Sequence, residues 1–419
     1  MADNNHRRRT SAEPGSAPGI SRPISRRTFL AGTVAAGAAA AVVSSVGLTG
    51  CGSSRKKGET PNALSPSASD VTAVGDAYEE ADEATLVTGS ATYTLPAGTL
   101  LWADSNTYAA TLMPGSTSTP LNSIGLTSLA NGTCTEVLHE AVGASDGYSI
   151  YNVRANDSLV VWSELNFLTD DWRVYMASLR GTTMGTAVQL DEGTGDYEVP
   201  PLAVAPSTAV WVRQPSENGK RTTETTHVYS QPLSSSSATE ICSSRGRLAT
   251  LPHVNGNILT ITPRVNTSSV YYRMLACDPI NGSEVSSAVL PTPIKPLDVV
   301  WTGSGFAFSV EASYDSGGAL GGYGSYLQQS QGFLRLGRIP LDGPVWVGSN
   351  LVCKSGANVT VLNTNRRQYC TVSALSGCAS YGDCFATNGS GDQLVIYTTV
   401  SRAADHSDAQ VQMRVLQLA

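Results

Sequence analysis

Charge is sparse in this chain: 15% of its 419 residues are Asp, Glu, Lys or Arg, with 27 Lys and Arg against 34 Asp and Glu. Six of the bases and two of the acids precede Cys51, so the remainder carries a net charge of −11. Affinity for nucleic acid rests on cations that neutralise phosphates, which excludes that partner class here. The same balance excludes a broad binder of anionic wall polymers. Histidine is scarce too. The four beyond the N-terminal region, His139, His227, His253 and His406, form neither H-E-x-x-H nor a Cys/His zinc spacing, so no metal site is expected. There is no C-x-x-C, no Ser-x-Asp-x-Gly-x-Thr-Trp box, and no strand–turn–helix to present a nucleophilic serine. The acidic glycine turn Asp191–Asp196 offers oxygen ligands of the kind calcium takes, but without the full loop spacing it reads as a solvated turn. No catalytic residue is named on this basis.

Acidic residues are missing altogether from Pro14 to Gly58. Ahead of residue 25 the chain is rich in Arg, Ser, Pro and Gly, with Arg7, Arg8, Arg9 and Arg22 unopposed, which keeps that end on the cytoplasmic side of a membrane. A weakly apolar run of Ala, Gly and Val follows from Phe29 to Gly50. The order Ser25-Arg26-Arg27-Thr28-Phe29-Leu30 resembles the export signal of twin-arginine (Tat) substrates, with Arg26, Arg27, Phe29 and Leu30 as its matching residues. Leu48-Thr49-Gly50-Cys51 resembles a bacterial lipobox, whose small residues let the signal peptidase approach the backbone. The resemblance implies a signal peptide over residues 1–50, passage through the Tat translocase, and a covalent lipid such as palmitate on Cys51. No other cofactor is expected. Two or more acyl chains hold a protein stably on a bilayer, so the implied location is the outer face of the cell membrane. Residues 51–84 are polar and read as a flexible linker, with Arg55, Lys56 and Lys57 as solvated charges and a short acidic helix expected over Asp76–Ala84.

From residue 85 to 419 the pattern is all-β: short Val, Ile, Tyr and Leu runs separated by Gly, Asn, Asp and Pro, with no helical stripe. One segment type recurs seven times, as NSIGLTSLANG, VYMASLRG, HVYSQPL, VYYRMLACDPING, GFLRLGRIPLDG, QYCTVSALSG and VQMRVLQL. A second apolar strand precedes each: TYAATL, LVVWSEL, AVWVRQ, ILTITPRV, FAFSVEA, VTVLN and LVIYTTV. Seven copies in these 335 residues give about 48 per unit, the spacing of four-stranded propeller blades. The expected fold is a seven-bladed β-propeller. The last copy ends at Leu418 with no fourth strand behind it, so Leu86–Leu95 is expected to supply that strand and close the ring. The pattern resembles TolB-like and WD40-like propellers, without a Trp-Asp or kelch signature.

Three long insertions are expected on one end of the ring, at Pro215–Thr226, Ser313–Gly332 and Ser401–Gln410. The second carries Tyr314, Tyr323 and Tyr326 among glycines, a composition suited to a binding loop. Of the seven cysteines after Cys51, Cys353, Cys370, Cys378 and Cys384 crowd into the last two units, where an exported protein could form one or two disulfides. The functional expectation is a lipid-anchored envelope module that binds or scaffolds an envelope protein or glycan. The alternative is a propeller enzyme, a polysaccharide lyase or glycosidase, with carboxylates at the central channel.

Overall fold

The computed structural model describes residues 61–115, 121–217, 224–265 and 269–419. The export signal (Arg26, Arg27, Phe29, Leu30), the peptidase motif (Leu48, Thr49, Gly50) and the lipidation site Cys51 lie outside the described residues.

Seven small antiparallel sheets follow one another around a ring. The first four blades comprise Leu100–Trp102, Tyr108–Pro114, Leu121–Ser128 and Cys134–Leu138; Ser149–Ala155, Leu159–Leu165, Trp172–Arg180 and Val188–Gly193; Leu202–Ala205, Thr208–Arg213, Thr225–Pro232 and Thr239–Arg245; and His253–Asn255, Ile258–Ile261, Arg273–Cys277 and Glu284–Val289. Blade 5 holds Asp298–Trp301, Phe306–Val310, Gly324–Gln328 and Phe333–Leu336, and blade 6 holds Val345–Val347, Asn350–Ser355, Asn358–Asn363 and Gln368–Val372. Blade 7 takes Cys384–Phe385, Leu394–Val400 and Gln410–Leu418 from the end of the chain and Val87–Leu95 from its beginning. That closing strand pairs antiparallel with Gln410–Leu418 from Val87↔Leu418 to Leu95↔Val411, as expected.

Each blade presents apolar side chains on both faces, because alternate residues of a strand point opposite ways. Stacking around the ring therefore makes seven separate cores, one at each junction. Trp162 and Tyr175 fill the junction of blades 1 and 2, and Trp172 and Trp211 that of blades 2 and 3. Val254 and Leu259 sit between blades 3 and 4, and Phe306, Phe308 and Tyr326 between blades 4 and 5. The remaining junctions hold Val300 with Leu351, Val345 with Leu394, and Leu101 with Met413.

The register of two units departs from the sequence reading. GFLRL is the fourth strand of blade 5, whose third strand is the short Gly324–Gln328; in blade 6, VTVLN is the third strand and QYCTV the fourth. A Gly-rich approach hides the first of these strands, and a tight turn at Gly356-Ala357 compresses blade 6.

Residues 63–86 are not a free linker. Ala63 forms a parallel bridge to Val289 on blade 4, Val71–Ala73 pairs parallel with Phe333–Arg335 on blade 5, and Glu79–Glu80 with Gln368–Tyr369 on blade 6. These contacts begin eight residues apart, and the same interval leads on to Val87. Between them the chain makes single helical turns, Ala68–Asp70, Val74–Ala77 and Glu83–Leu86, in place of the one acidic helix expected over Asp76–Ala84. The belt also delivers apolar side chains to the junctions it crosses: Leu64 and Val71 between blades 4 and 5, Val74 and Tyr78 between blades 5 and 6, and Leu86 between blades 6 and 7. A polar composition conceals this, because one or two buried side chains per crossing suffice. Leu86 is fully buried, and truncating a buried Leu to Ala costs about 2–5 kcal/mol. Leu86→Ala is expected to lower the midpoint of urea unfolding accordingly, whereas Thr88→Ala on the exposed side of the closing strand leaves it nearly unchanged.

Candidate functional site

The innermost strand of each blade starts at one end of the ring, here the upper end, and the loops between second and third strands emerge there too. In blades 4 to 7 that start is marked by a buried ionisable residue: His253, Asp298, Asp342 and Asp383. Their partners show what they do. His253 Nε2 lies 2.8 Å from both carboxylate oxygens of Asp298, joining blade 4 to blade 5. Asp342 accepts from the Phe385 amide, joining blade 6 to blade 7. Within blade 7, Asp383 accepts from Arg414 Nη1 at 2.6 Å. Burial raises the Asp383 carboxyl above its ordinary range, and the Arg414 charge opposes the rise. Lys354 is buried beside it, its ammonium 4.0 Å from Cys384 Sγ and 5.6 Å from the centre of the Tyr381 ring.

The lower end uses the same device. Arg154 of blade 2 pairs with Asp104 of blade 1 through two hydrogen bonds, one of them from Nε at 2.7 Å. Asn156 donates to the Ala205 carbonyl and Asn255 to the Trp301 carbonyl, each at 2.7 Å and each into the next blade. Here the channel is crossed. A Cβ placed on Gly389, in the turn after the inner strand of blade 7, would sit 3.4 Å from the Val254 carbonyl, 3.5 Å from Val300 Cγ2 and 3.7 Å from the Trp346 carbonyl. Those atoms belong to blades 4, 5 and 6, so the turn lies across the axis. Its φ of 82° is one that glycine adopts readily.

The upper end carries loops of two kinds. The first places buried groups: in blade 2, the fully buried Glu164 carboxylate accepts from the Val142 amide at 2.7 Å, the Gly143 amide at 2.9 Å and Trp162 Nε1 at 3.0 Å. The second exposes apolar side chains. Phe167 and Leu168 stand out of blade 2, and Tyr323, Ile339 and Leu341 out of blades 5 and 6.

Of the three tyrosines expected in a binding loop, Tyr323 alone is exposed. Tyr326 belongs to the third strand of blade 5, stacked 5.1 Å from Phe308 with its hydroxyl donating to the Gly322 carbonyl at 2.7 Å. It is a core residue, and burial raises its phenol above the ordinary range. Tyr314 is held at the rim, donating to the Lys295 carbonyl at 3.2 Å. The loop itself is shorter than expected, ending before Gly324.

Asp191 lies in a strand rather than a calcium turn, accepting from Trp211 Nε1 and Arg213 Nη1, and no metal-holding cluster occurs among the described residues. No disulfide is formed among the seven described cysteines, Cys134 to Cys384. Burial pushes the Cys353 thiol up to about 12 and the Cys370 thiol up to about 11, far from the thiolate that nucleophilic chemistry needs.

Sequence reasoning passed over two features. The sequence reading holds that no G-x-S-x-G is present, yet Gly143-Ala144-Ser145-Asp146-Gly147 has that spacing. It forms a single 3-10 turn between blades 1 and 2, and Ser145 is exposed with its hydroxyl directed to Asp146, so it is not the strained strand-to-helix elbow of a nucleophile. The exposed Phe167-Leu168 pair was also missed. Its signal is an apolar dipeptide set inside a turn otherwise made of Asn, Thr and Asp.

No protein-family model matches the sequence, and no curated protein matches it. Among solved structures the fold is similar to that of a prolyl endopeptidase, at a TM-score of 0.50 and 12% identity over 81% of this chain and 48% of that one. It is also similar to the β-propeller domain of the Trilobed protease from Pyrococcus furiosus, at 0.42 and 9% identity over 61% of this chain and 80% of that one. An acylaminoacyl peptidase from Pyrococcus horikoshii matches at 0.41 and 11%, over 60% of this chain and 43% of that one. The chain thus spans about half the length of the first of these, and at such identities the likeness is one of propeller fold.

The upper-end loop of blade 7 has an electrostatic clasp. Asp408 accepts from the Ser401 hydroxyl at 2.5 Å and from the Arg402 and Ala403 amides at 3.0–3.1 Å. These bonds, Ser401 foremost, lower its carboxyl from 3.8 to about 2. A depressed folded-state value means that the clasp is fully formed above pH 3.8 and is lost as the pH falls towards about 2. Amide protection at Ala403 is therefore expected to persist at mildly acidic pH and vanish in that window. At neutral pH, Asp408→Ala is expected to speed tryptic cleavage after Arg402.

Proposed function

We propose that this chain is a lipid-anchored β-propeller of the cell envelope that acts as a binding or scaffold module. The observation that carries the binding reading is a division of labour at the upper end. Buried ionisable groups there and along the channel are engaged in structural pairs, His253 with Asp298 and Asp104 with Arg154 between blades and Asp383 with Arg414 within one. The side chains left facing solvent include a set of apolar ones, Phe167, Leu168, Tyr323, Ile339 and Leu341, standing among charged neighbours. Exposed apolar side chains presented in this way serve recognition of other molecules. The turn at Gly389 also narrows the channel, where an enzyme of the lyase or glycosidase type would need its substrate. The anchor reading rests on the Arg26-Arg27 and Leu48–Cys51 motifs. A lipid on Cys51 would keep the ring close to the membrane, because few residues separate that position from the belt's first contact at Ala63.

Two arms of one experiment test the proposal. Cys51→Ala is expected to shift the protein from the detergent phase to the aqueous phase; unchanged partitioning overturns the anchor. Chemical cross-linking on intact membranes is expected to give a discrete adduct that disappears when Phe167, Leu168, Ile339 and Leu341 are all changed to Ser. An adduct indifferent to those four changes overturns the upper end as the binding surface.

A further inference from the structure

The binding-module reading can be taken to a kind of partner. We propose that the tip of blade 2 is a docking knob for a protein that offers an apolar pocket rimmed by Lys or Arg, an inference that rests on that reading. Leu168 is 94% exposed, Phe167 58% and Val142 50%. Single exposed apolar side chains are ordinary on protein surfaces. What distinguishes these is how firmly the backbone that presents them is held.

Asn166 organises the tip. Its amide donates to the Asp171 carbonyl at 2.9 Å, and its own carbonyl accepts from the Asp170 amide at 2.9 Å and the Thr169 amide at 3.3 Å. Its side-chain oxygen accepts from the Leu168 amide at 3.0 Å, and its side-chain nitrogen donates to the Asp146 carbonyl at 3.1 Å. Asp170 completes the turn in the left-handed region, at φ 59°. Phe167 lies 6.4 Å from the Tyr151 ring. Val142 is fixed separately by the hydrogen bond its backbone N–H donates to the buried Glu164 carboxylate. A tip ordered in this way before it meets a partner loses little conformational entropy on binding, so the apolar area of Phe167 and Leu168 is used efficiently.

The charge around the knob selects the partner class. Asp146, Asp170 and Asp171 belong to the two hydrogen-bonded loops of the tip, and Gly195 packs closely against Asp170. Arg173, beside them, is engaged with Asp146 at 3.1 Å and with the face of Tyr148 at 4.1 Å. An acidic rim steers a basic protein surface towards the knob and raises its rate of encounter. It disfavours insertion into a bilayer carrying anionic lipid, and it disfavours a second copy of this chain, which would bring the same carboxylates.

The test places a photo-reactive phenylalanine analogue at position 168, or separately at position 339 as a control, in the full chain on intact membranes. The probe at 168 is expected to yield one protein adduct. Its yield should fall about tenfold in the Asp146→Asn/Asp170→Asn/Asp171→Asn variant and on raising salt from about 0.05 M to 0.5 M, with circular dichroism unchanged. Lipid adducts alone, a homodimer, or an adduct insensitive to salt and to the carboxylates would overturn the proposal. A protein adduct at 339 with none at 168 overturns the knob but leaves the binding module standing. No adduct at either position overturns both.

Discussion

Everything in this molecule depends on one strand pairing, between Val87–Leu95 near the start of the chain and Gln410–Leu418 at its end. A row of blades has two raw ends, each with an apolar face that nothing covers; a ring has none. The closing strand supplies blade 7 with its fourth strand and serves the junctions on both sides of that blade. Its Val87 packs towards blade 6 and its Tyr93 and Leu95 towards blade 1. Removing that pairing would weaken two of the seven junctions at once.

With the ring closed by hydrophobic junctions, buried charge and amide groups set register between neighbouring blades. Asp104 with Arg154, and His253 with Asp298, each join adjacent inner strands, and Asn156 and Asn255 do the same through backbone carbonyls. Such pairs give modest net stability, since desolvation offsets much of their attraction, but mispairing them is costly. They suit a fold whose blades are alike enough to slip against one another. This assignment also separates two roles that share the upper end: polar groups inside hold it still, and apolar groups outside are free to meet something else.

The blade count and the closure were legible because both follow from repetition. A Tyr- or Leu-bearing third strand and its Gly turn recur whether or not any single copy is well formed, and an unpaired last copy requires a partner. Registers in blades 5 and 6 were not legible, because a short strand such as Gly324–Gln328 looks like part of its glycine loop until its partners are known. Tyr326 was misread for the same reason: its glycine neighbours suggested a loop, while Phe308 and Phe333 make it core. The Phe167-Leu168 tip was overlooked because exposure is a three-dimensional property, and two apolar residues beside a turn read equally well as the end of a strand.

The belt gives its plain composition a meaning in time. Ala63, Val71 and Glu79 have partners at Val289, Phe333 and Gln368, so these early residues precede by more than two hundred positions the strands that receive them. A segment rich in Val, Ile or Phe would spend synthesis as an unpaired, sticky strand. One dominated by Ser, Asp, Glu and Ala, with an isolated Val74, Tyr78 or Leu86 for each groove, can remain soluble while it waits and still dock when the blades arrive. What looks like a featureless spacer is a latecomer's strap, made inconspicuous so that it does not fasten to the wrong thing first.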